Sequence, residues 1–217
     1  MLERMKAVLG KDQWTALKEI SNSEPEDPFR VLIGTILSHR TRDERTAEAT
    51  ARLFKRYRNA SELAAAPRED VEDLIRSVGF YRVKSRRIIE VAKIIQGQYG
   101  GKVPDTIEDL MELPSVGRKT ANCVLVYGFR RDAIPVDTHV HRIANRLGIV
   151  KTSKPDETEE GLIKFFSRDD WKEVNDLFVS YGKSICRPVG PRCGICPLTA
   201  DCNYFQTVVK PKSEAKG

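Results

Sequence analysis

Leu113-Pro114-Ser115-Val116-Gly117-Arg118-Lys119-Thr120-Ala121 is the most informative short stretch of the 217-residue chain. Ahead of it, Asp105 or Thr106 opens a short helix, with Glu108 or Asp109 three residues on as a capping-box partner. Pro114 ends that helix, Gly117 permits a sharp turn and a close approach to a ligand, and a new helix starts near Arg118. The first amides and positive dipole end of that helix, around Val116, Gly117 and Arg118, form a seat for a phosphate. Backbone amides do not read bases, so such a seat grips DNA without sequence preference. The competing reading is a plain helix–helix corner with Gly117 as a turn residue.

Outward from this hairpin the dominant period is helical. Phe29, Leu32, Ile33, Ile36 and Leu37 form an apolar stripe, with Asp27 as N-cap and Pro28 in the first turn. Val174, Leu177, Phe178 and Tyr181 repeat the stripe, as do Ala121, Val124, Leu125 and Gly128. Helices are predicted over residues 2–20, 43–57, 61–65, 68–77, 84–98, 106–112, 138–147 and 156–167, and no segment sustains period-two alternation. The fold class is all-α. An internal echo is present: Ser77-Val78-Gly79 and Ser115-Val116-Gly117 each lead, through a lysine and a small hydroxyl residue, into an apolar helix. The tail from about residue 210 is expected to be disordered.

Thirty-seven Lys and Arg against 31 Asp and Glu give a net charge of +6. Arg76, Arg82, Lys84, Arg86, Arg87 and Lys93 crowd one stretch in which Glu90 is the only acid, and Lys183, Arg187 and Arg192 form a second patch. Such asymmetry suggests a face for a polyanion, nucleic acid first; the alternative is a set of solvated helix faces. The apolar run Val31 to Leu37 is too short to span a bilayer, and residues 1–6 show no apolar signal-peptide core. The expectation is a cytoplasmic, nucleoid-associated protein with no membrane partner.

Four of the five cysteines fall in the last 32 residues, as Cys186-x6-Cys193-x2-Cys196-x5-Cys202. Clustering of this kind argues for a metal site over a disulfide framework. Four thiolates suit tetrahedral zinc or a cubane iron–sulfur cluster, although zinc ribbons usually bring two C-x2-C knuckles and this chain has one. Pinning the six-residue loop would present Arg187 and Arg192 to a DNA backbone. Cys123, remote in sequence, is expected to be a small packing residue.

Taken together, Leu113 to Ala121, Val136-Asp137-Thr138-His139 with Arg142, Leu37-Ser38 to Asp43, and the terminal cysteines resemble the endonuclease III family of base-excision glycosylases, over about Pro28 to Cys202. The resemblance implies that Lys119 is the nucleophile and Asp137 its carboxylate partner, and that the four cysteines hold a [4Fe-4S] cluster. The chemistry suits both residues: an amine can capture the sugar as a Schiff base, and a carboxylate can stabilise the charge that grows as the base departs. Taken singly, Lys119 could be a phosphate-contacting lysine and Asp137 a helix cap. A base inside a duplex is unreachable, so the nucleotide must be flipped out and the gap filled. By position in the family, Arg40 and Phe80 are the wedge candidates, where many members carry glutamine and leucine; the competing readings are a surface arginine and a core phenylalanine. His39, His139 and His141 form no recognisable metal triad and are expected to be structural.

The implied architecture is two helical lobes: a barrel with the helix–hairpin–helix over residues 21–133, and a cluster lobe of residues 1–20 and 134–217, with DNA in the cleft between. The function implied is a monomeric bifunctional glycosylase and abasic-site lyase, acting on oxidised pyrimidines or abasic sites in double-stranded DNA. Two alternatives are a monofunctional mismatch glycosylase, whose members lack a lysine at the Lys119 position, and a non-catalytic damage-binding iron–sulfur protein.

Overall fold

A computed structural model describes residues 1–10, 15–23 and 27–211, and those residues form helices, turns and loops with no strand among them. The chain divides into two units, Thr15–Ala133 and Met1–Trp14 with Ile134–Gly217.

Unit Thr15–Ala133 contains α2 (Ala16–Ser23), α3 (Pro28–Ser38), α4 (Asp43–Arg56), α5 (Ala60–Ala64), α6 (Arg68–Leu74), α7 (Tyr81–Gln98), α8 (Ile107–Met111) and α9 (Arg118–Cys123), the last running into a π-helical turn, Val124–Gly128. Helix α3 starts as its sequence predicts: Asp27 Oδ1 accepts the Arg30 amide at 2.9 Å, and Pro28 occupies the first turn. Phe29, Leu32, Ile33, Ile36 and Leu37 are buried against Leu53, Ile75, Ile88, Val124 and Leu125. Each fully buried Leu or Ile contributes about 1.5–3 kcal/mol by area, so this stripe rather than helix propensity holds α3 at the unit's centre. Cys123 is fully buried with Leu17, Ile20 and Val31, a packing residue.

The other unit contains α1 (Leu2–Leu9), α10 (Thr138–Leu147), α11 (Pro155–Phe165) and α12 (Trp171–Ser184). Leu2, Met5 and Leu9 of α1 share a core with Val140, Ile143, Val174, Phe178 and Tyr181. The π turn Phe205–Val209 and the helical residues Lys210 and Pro211 follow the cysteine segment; the rest of the tail expected to be disordered lies outside the described residues.

One helix over residues 2–20 was expected, with the unit boundary after it, and the structure corrects both. Helix α1 stops at Leu9, where Gly10 takes φ +58°, a conformation that ends an α-helix. Helix α2 belongs with Thr15–Ala133, its Leu17 and Ile20 buried beside Val31 of α3. No helix among the described residues is long and apolar enough to cross a membrane.

Candidate active site

The hairpin forms where the sequence places it. Thr106 caps α8, its Oγ1 accepting the Asp109 amide at 3.2 Å. Leu113 and Val116 are buried in the core of their unit, and the Val116 amide donates to the Leu113 carbonyl at 3.1 Å. That amide is thus committed within the turn, so the phosphate seat expected around Val116, Gly117 and Arg118 rests on the residues after Val116. The left-handed residue of the turn is Ser115, φ +65°, and not Gly117, which is extended at φ −102° and ψ 178°. A Cβ at Gly117 would meet no protein atom within 4 Å. Neither backbone strain nor crowding within the protein therefore requires glycine there, and the bare backbone faces open space. Lys119 follows in the first turn of α9, half-buried.

Two further loops of the same unit carry Arg40 and Phe80. Both residues adopt the left-handed region, φ +53° and +58°, and both are exposed. Phe80 keeps 62% of its surface in solvent, which removes the core-phenylalanine reading. The Arg40 guanidinium lies 5.8 Å from the centroid of the Phe80 ring. The loops come this close because of Gly79: a Cβ there would stand 2.8 Å from the Arg40 carbonyl oxygen.

Beneath them sits a residue that the charge pattern misassigned. Lys84, counted in the basic stretch read as a polyanion-binding face or else a solvated one, is buried, and its Nζ donates to Leu37 O (2.7 Å), His39 O (2.6 Å) and Thr41 Oγ1 (2.9 Å). Burial lowers the Lys84 ammonium to about 8. Thr41 Oγ1 also accepts the Gly79 amide at 3.1 Å. The His39 ring meets Thr120 Oγ1 at 3.2 Å, one residue from Lys119. Burial first, then the charges of Lys119 and Lys84, push the His39 imidazole down to about 4, so it is neutral at physiological pH.

Asp137 lies in the other unit, as the N-cap of α10. Its Oδ1 accepts the amides of His139 (2.8 Å) and Val140 (2.9 Å), so Oδ2 takes no part in the cap. Along the same helix, Arg142 donates to Gly182 O (3.1 Å) and Cys186 O (2.9 Å), and meets His139 Nδ1 at 3.1 Å. An arginine has no lone pair to offer, so His139 Nδ1 is the acceptor. Burial, partly offset by Asp137, holds that imidazole below its ordinary value. One turn on, Arg146 donates to Arg187 O (2.7 Å) and Pro188 O (3.0 Å). Two arginines spaced by one helical turn thus grip the loop that follows Cys186; the spacing was visible in the sequence, the target carbonyls were not. His141 bonds Thr158 at 2.7 Å, a structural contact.

Cys186, Cys193, Cys196 and Cys202 line one cavity, together with Ile143, Tyr181, Ile185 and Phe205. Besides the four sulfurs the lining offers the hydroxyls of Tyr181, Thr199 and Tyr204, and it includes no carboxylate or imidazole. Among the described residues no group of three His, Cys, Asp or Glu is placed to hold a single ion. Burial and the neighbouring thiols raise both Cys193 and Cys202 above the ordinary thiol range. Four sulfurs lining one shared cavity fit a thiolate-bound metal group. The Tyr181 hydroxyl and Cys196 Sγ are hydrogen-bonded at 2.9 Å. Arg187 and Arg192, on the connecting loop, are exposed.

A hairpin of this form in an all-helical unit, with a four-thiol segment downstream, defines a class: residues 33–168 match the family described as HhH-GPD superfamily base excision DNA repair protein. The chain is 52% identical to endonuclease III of Thermotoga maritima, over 85% of this chain and 87% of that one, and 39% identical to endonuclease III of Synechocystis, over 83% of each. It is also similar to the solved structure of a non-covalent endonuclease III–DNA complex, with a TM-score of 0.84 and 33% identity over 96% of this chain and 95% of that one. A trapped endonuclease III–DNA covalent intermediate gives a TM-score of 0.83 at 34% identity, over 94% of this chain and 93% of that one. The chain belongs to the endonuclease III family, and its activity is that of a base-excision DNA glycosylase.

Proposed function

We propose that this glycosylase is bifunctional, removing oxidised pyrimidines from duplex DNA and then cleaving the strand, with Lys119 as nucleophile and Asp137 as its carboxylate partner. The observation that carries this reading is the half-buried Lys119, a primary amine in the first turn after a hairpin whose Gly117 backbone faces open space. The related endonuclease III captured as a covalent intermediate with DNA supports it.

In the proposed reaction the Lys119 amine, in its neutral form, attacks C1′ of the flipped nucleotide and the C1′–N bond breaks, the base leaving with the bonding pair. Asp137, whose Oδ2 is outside the helix cap, offsets the positive charge that develops on the sugar. Ring opening yields an iminium between Lys119 Nζ and C1′. The iminium acidifies the C2′ proton, and its removal expels the 3′ phosphate by β-elimination. Water then releases Lys119. Exposed Arg40 and Phe80 fill the space vacated in the duplex, and Arg187 and Arg192 contact its backbone. Cys186, Cys193, Cys196 and Cys202 would hold a [4Fe-4S] cluster, which when bound supplies iron–thiolate bonds that pin the arginine-bearing loop.

Borohydride added during incubation with a thymine-glycol duplex tests the reading. A covalent adduct is expected, and it should vanish in Lys119→Ala. Base release without an adduct indicates a monofunctional glycosylase, and tight binding with neither indicates a non-catalytic damage-binding protein.

A further inference from the structure

We propose that Lys84 is a positioning residue that locks Arg40 and Phe80 together as one wedge and fixes that wedge relative to the helix of Lys119. The inference rests on the wedge reading above and extends it to a residue that touches no DNA.

Three observations lead there. First, Lys84 is a buried cation whose ammonium spends its three hydrogens on Leu37 O, His39 O and Thr41 Oγ1. Two of these acceptors are backbone carbonyls at the C-terminal end of α3, where a cation is favoured by the helix dipole and by carbonyls that lack intrahelical partners. Apolar side chains could fill the same space, but they would leave those carbonyls without a donor. Second, Arg40, one residue past His39, is held at φ +53°, and Phe80, one residue past Gly79, at φ +58°. Non-glycine residues persist in this conformation when their surroundings over-determine it, and such positions concentrate where a protein grips a ligand. Third, the constraints form one continuous chain. Phe80 is attached to Gly79, whose amide donates to Thr41 Oγ1; Thr41 Oγ1 and His39 O both accept from Lys84; and the His39 ring reaches Thr120, adjacent to Lys119. Thr41 Oγ1 accepts two bonds and donates its own hydrogen to His39 O at 3.3 Å, so the hydroxyl is fully used.

The geometry therefore makes Lys84 the hub through which the two tips are held beside each other, 5.8 Å from guanidinium to ring centroid, at a fixed distance from the hairpin helix. Removing the hub takes away the three bonds that tie α7 to the 37–41 segment and leaves the Gly79–Thr41 bond to hold the loops alone, without touching Lys119 itself. Its loss should act on substrates that need a gap filled, and much less on those that do not.

The test is Lys84→Met, with Thr41→Val as a milder second variant should the first fold poorly; folding is checked by circular dichroism and thermal melting. Substrates are a lesion-bearing duplex with 2-aminopurine opposite the lesion and a single-stranded oligonucleotide with an abasic site. On the duplex, Lys84→Met should lose between about tenfold and a hundredfold in kcat/KM, the scale of a small misplacement of reacting groups, together with the 2-aminopurine fluorescence rise on binding. Borohydride trapping on the single strand should stay within about threefold of wild type. In an Arg40→Ala/Phe80→Ala background, Lys84→Met should cost little more. An equal loss on both substrates, or an undiminished loss in that background, overturns the proposal, and so does a wild-type fluorescence signal in Lys84→Met. Should the wild-type protein unstack 2-aminopurine yet trap nothing, the lyase reading fails while the fluorescence still decides the role of Lys84.

Discussion

Two hairpins in the Thr15–Ala133 unit start from the same three residues and end in opposite uses of a lysine. In both, the valine of Ser-Val-Gly is buried and its amide donates three residues back, Val78 to Ile75 O at 3.0 Å and Val116 to Leu113 O at 3.1 Å. The difference lies in the glycine and the left-handed residue. In the first hairpin Gly79 is jammed against the Arg40 carbonyl, the left-handed residue comes after it, at Phe80, and Lys84 is buried beneath. In the second, the left-handed residue comes before the glycine, at Ser115, Gly117 faces open space, and Lys119 is half-buried at the helix start. Identical tripeptides thus serve protein–protein packing in one place and access in the other. What differs is whether the chain itself occupies the space next to the glycine.

The sharpest separation between the two is expected at the lysines. Lys119→Ala should remove turnover by about a thousandfold or more, because no neighbouring group replaces the amine. Its melting temperature should barely move, since a half-buried surface cation contributes little to folding. Lys84→Ala should do the reverse in stability, costing about 2–3 kcal/mol from buried carbonyls left without a donor, as read by urea denaturation. A stable Lys84→Ala would break the contrast.

The glycines give the next largest effect. Gly79→Ala places a methyl 2.8 Å from a backbone oxygen, and overpacking of that kind costs about 1–3 kcal/mol. Gly117→Ala meets no protein atom, and its φ of −102° is open to alanine, so stability should stay within about 0.5 kcal/mol. DNA affinity should nevertheless fall about tenfold, about 1.4 kcal/mol, because the methyl stands where a phosphate would approach. Affinity by fluorescence anisotropy at fixed salt checks this; unchanged binding would mean that the hairpin is only a corner.

How much of this could be read beforehand differs by the kind of force involved. The stripe of α3 and the caps at Asp27, Thr106 and Asp137 were legible because hydrophobic periodicity and capping act within a few residues. The hairpin was legible as a motif, with Gly117 read as the residue that permits the sharp turn; the left-handed residue of that turn is Ser115, which residue type does not single out. Lys84 was misread because counting charges along the chain does not say which face of α7 is buried, and its partners Leu37, His39 and Thr41 lie more than 40 residues away. The cysteines were legible by spacing, whereas the grip of Arg142 and Arg146 on their loop depends on two segments meeting.

His39 lies under the influence of both lysines, which makes it a reporter on the comparison. In the unfolded chain its imidazole takes a proton near pH 6.5, in the folded protein only near 4. Between those values the unfolded state binds more protons, so the stability due to neutral His39 is complete above pH 6.5 and is lost as the pH falls toward 4. Burial is the main cause, with the Lys119 charge next. In Lys119→Met the His39 titration, followed by NMR, should therefore move upward, and the acid-sensitive window should narrow. An unmoved titration would show that Lys119 carries no charge in that range.

The smallest expected effect is at the backbone of the two left-handed residues. Ser115 is exposed at φ +65°, a conformation costing about 1–2 kcal/mol for an L-residue. Ser115→Gly relieves that cost but gives the unfolded chain more freedom, worth about 0.4–1 kcal/mol in the opposite direction. The net gain should be about 0.5 kcal/mol, with lesion turnover retained. Phe80→Gly should give a similar change in stability by the same arithmetic, since its exposed ring adds little to the core, yet it should lose activity on duplex lesions. If Ser115→Gly lost activity as well, the strain in the second hairpin would serve the ligand and not only the turn, and the division of labour between the two would fail.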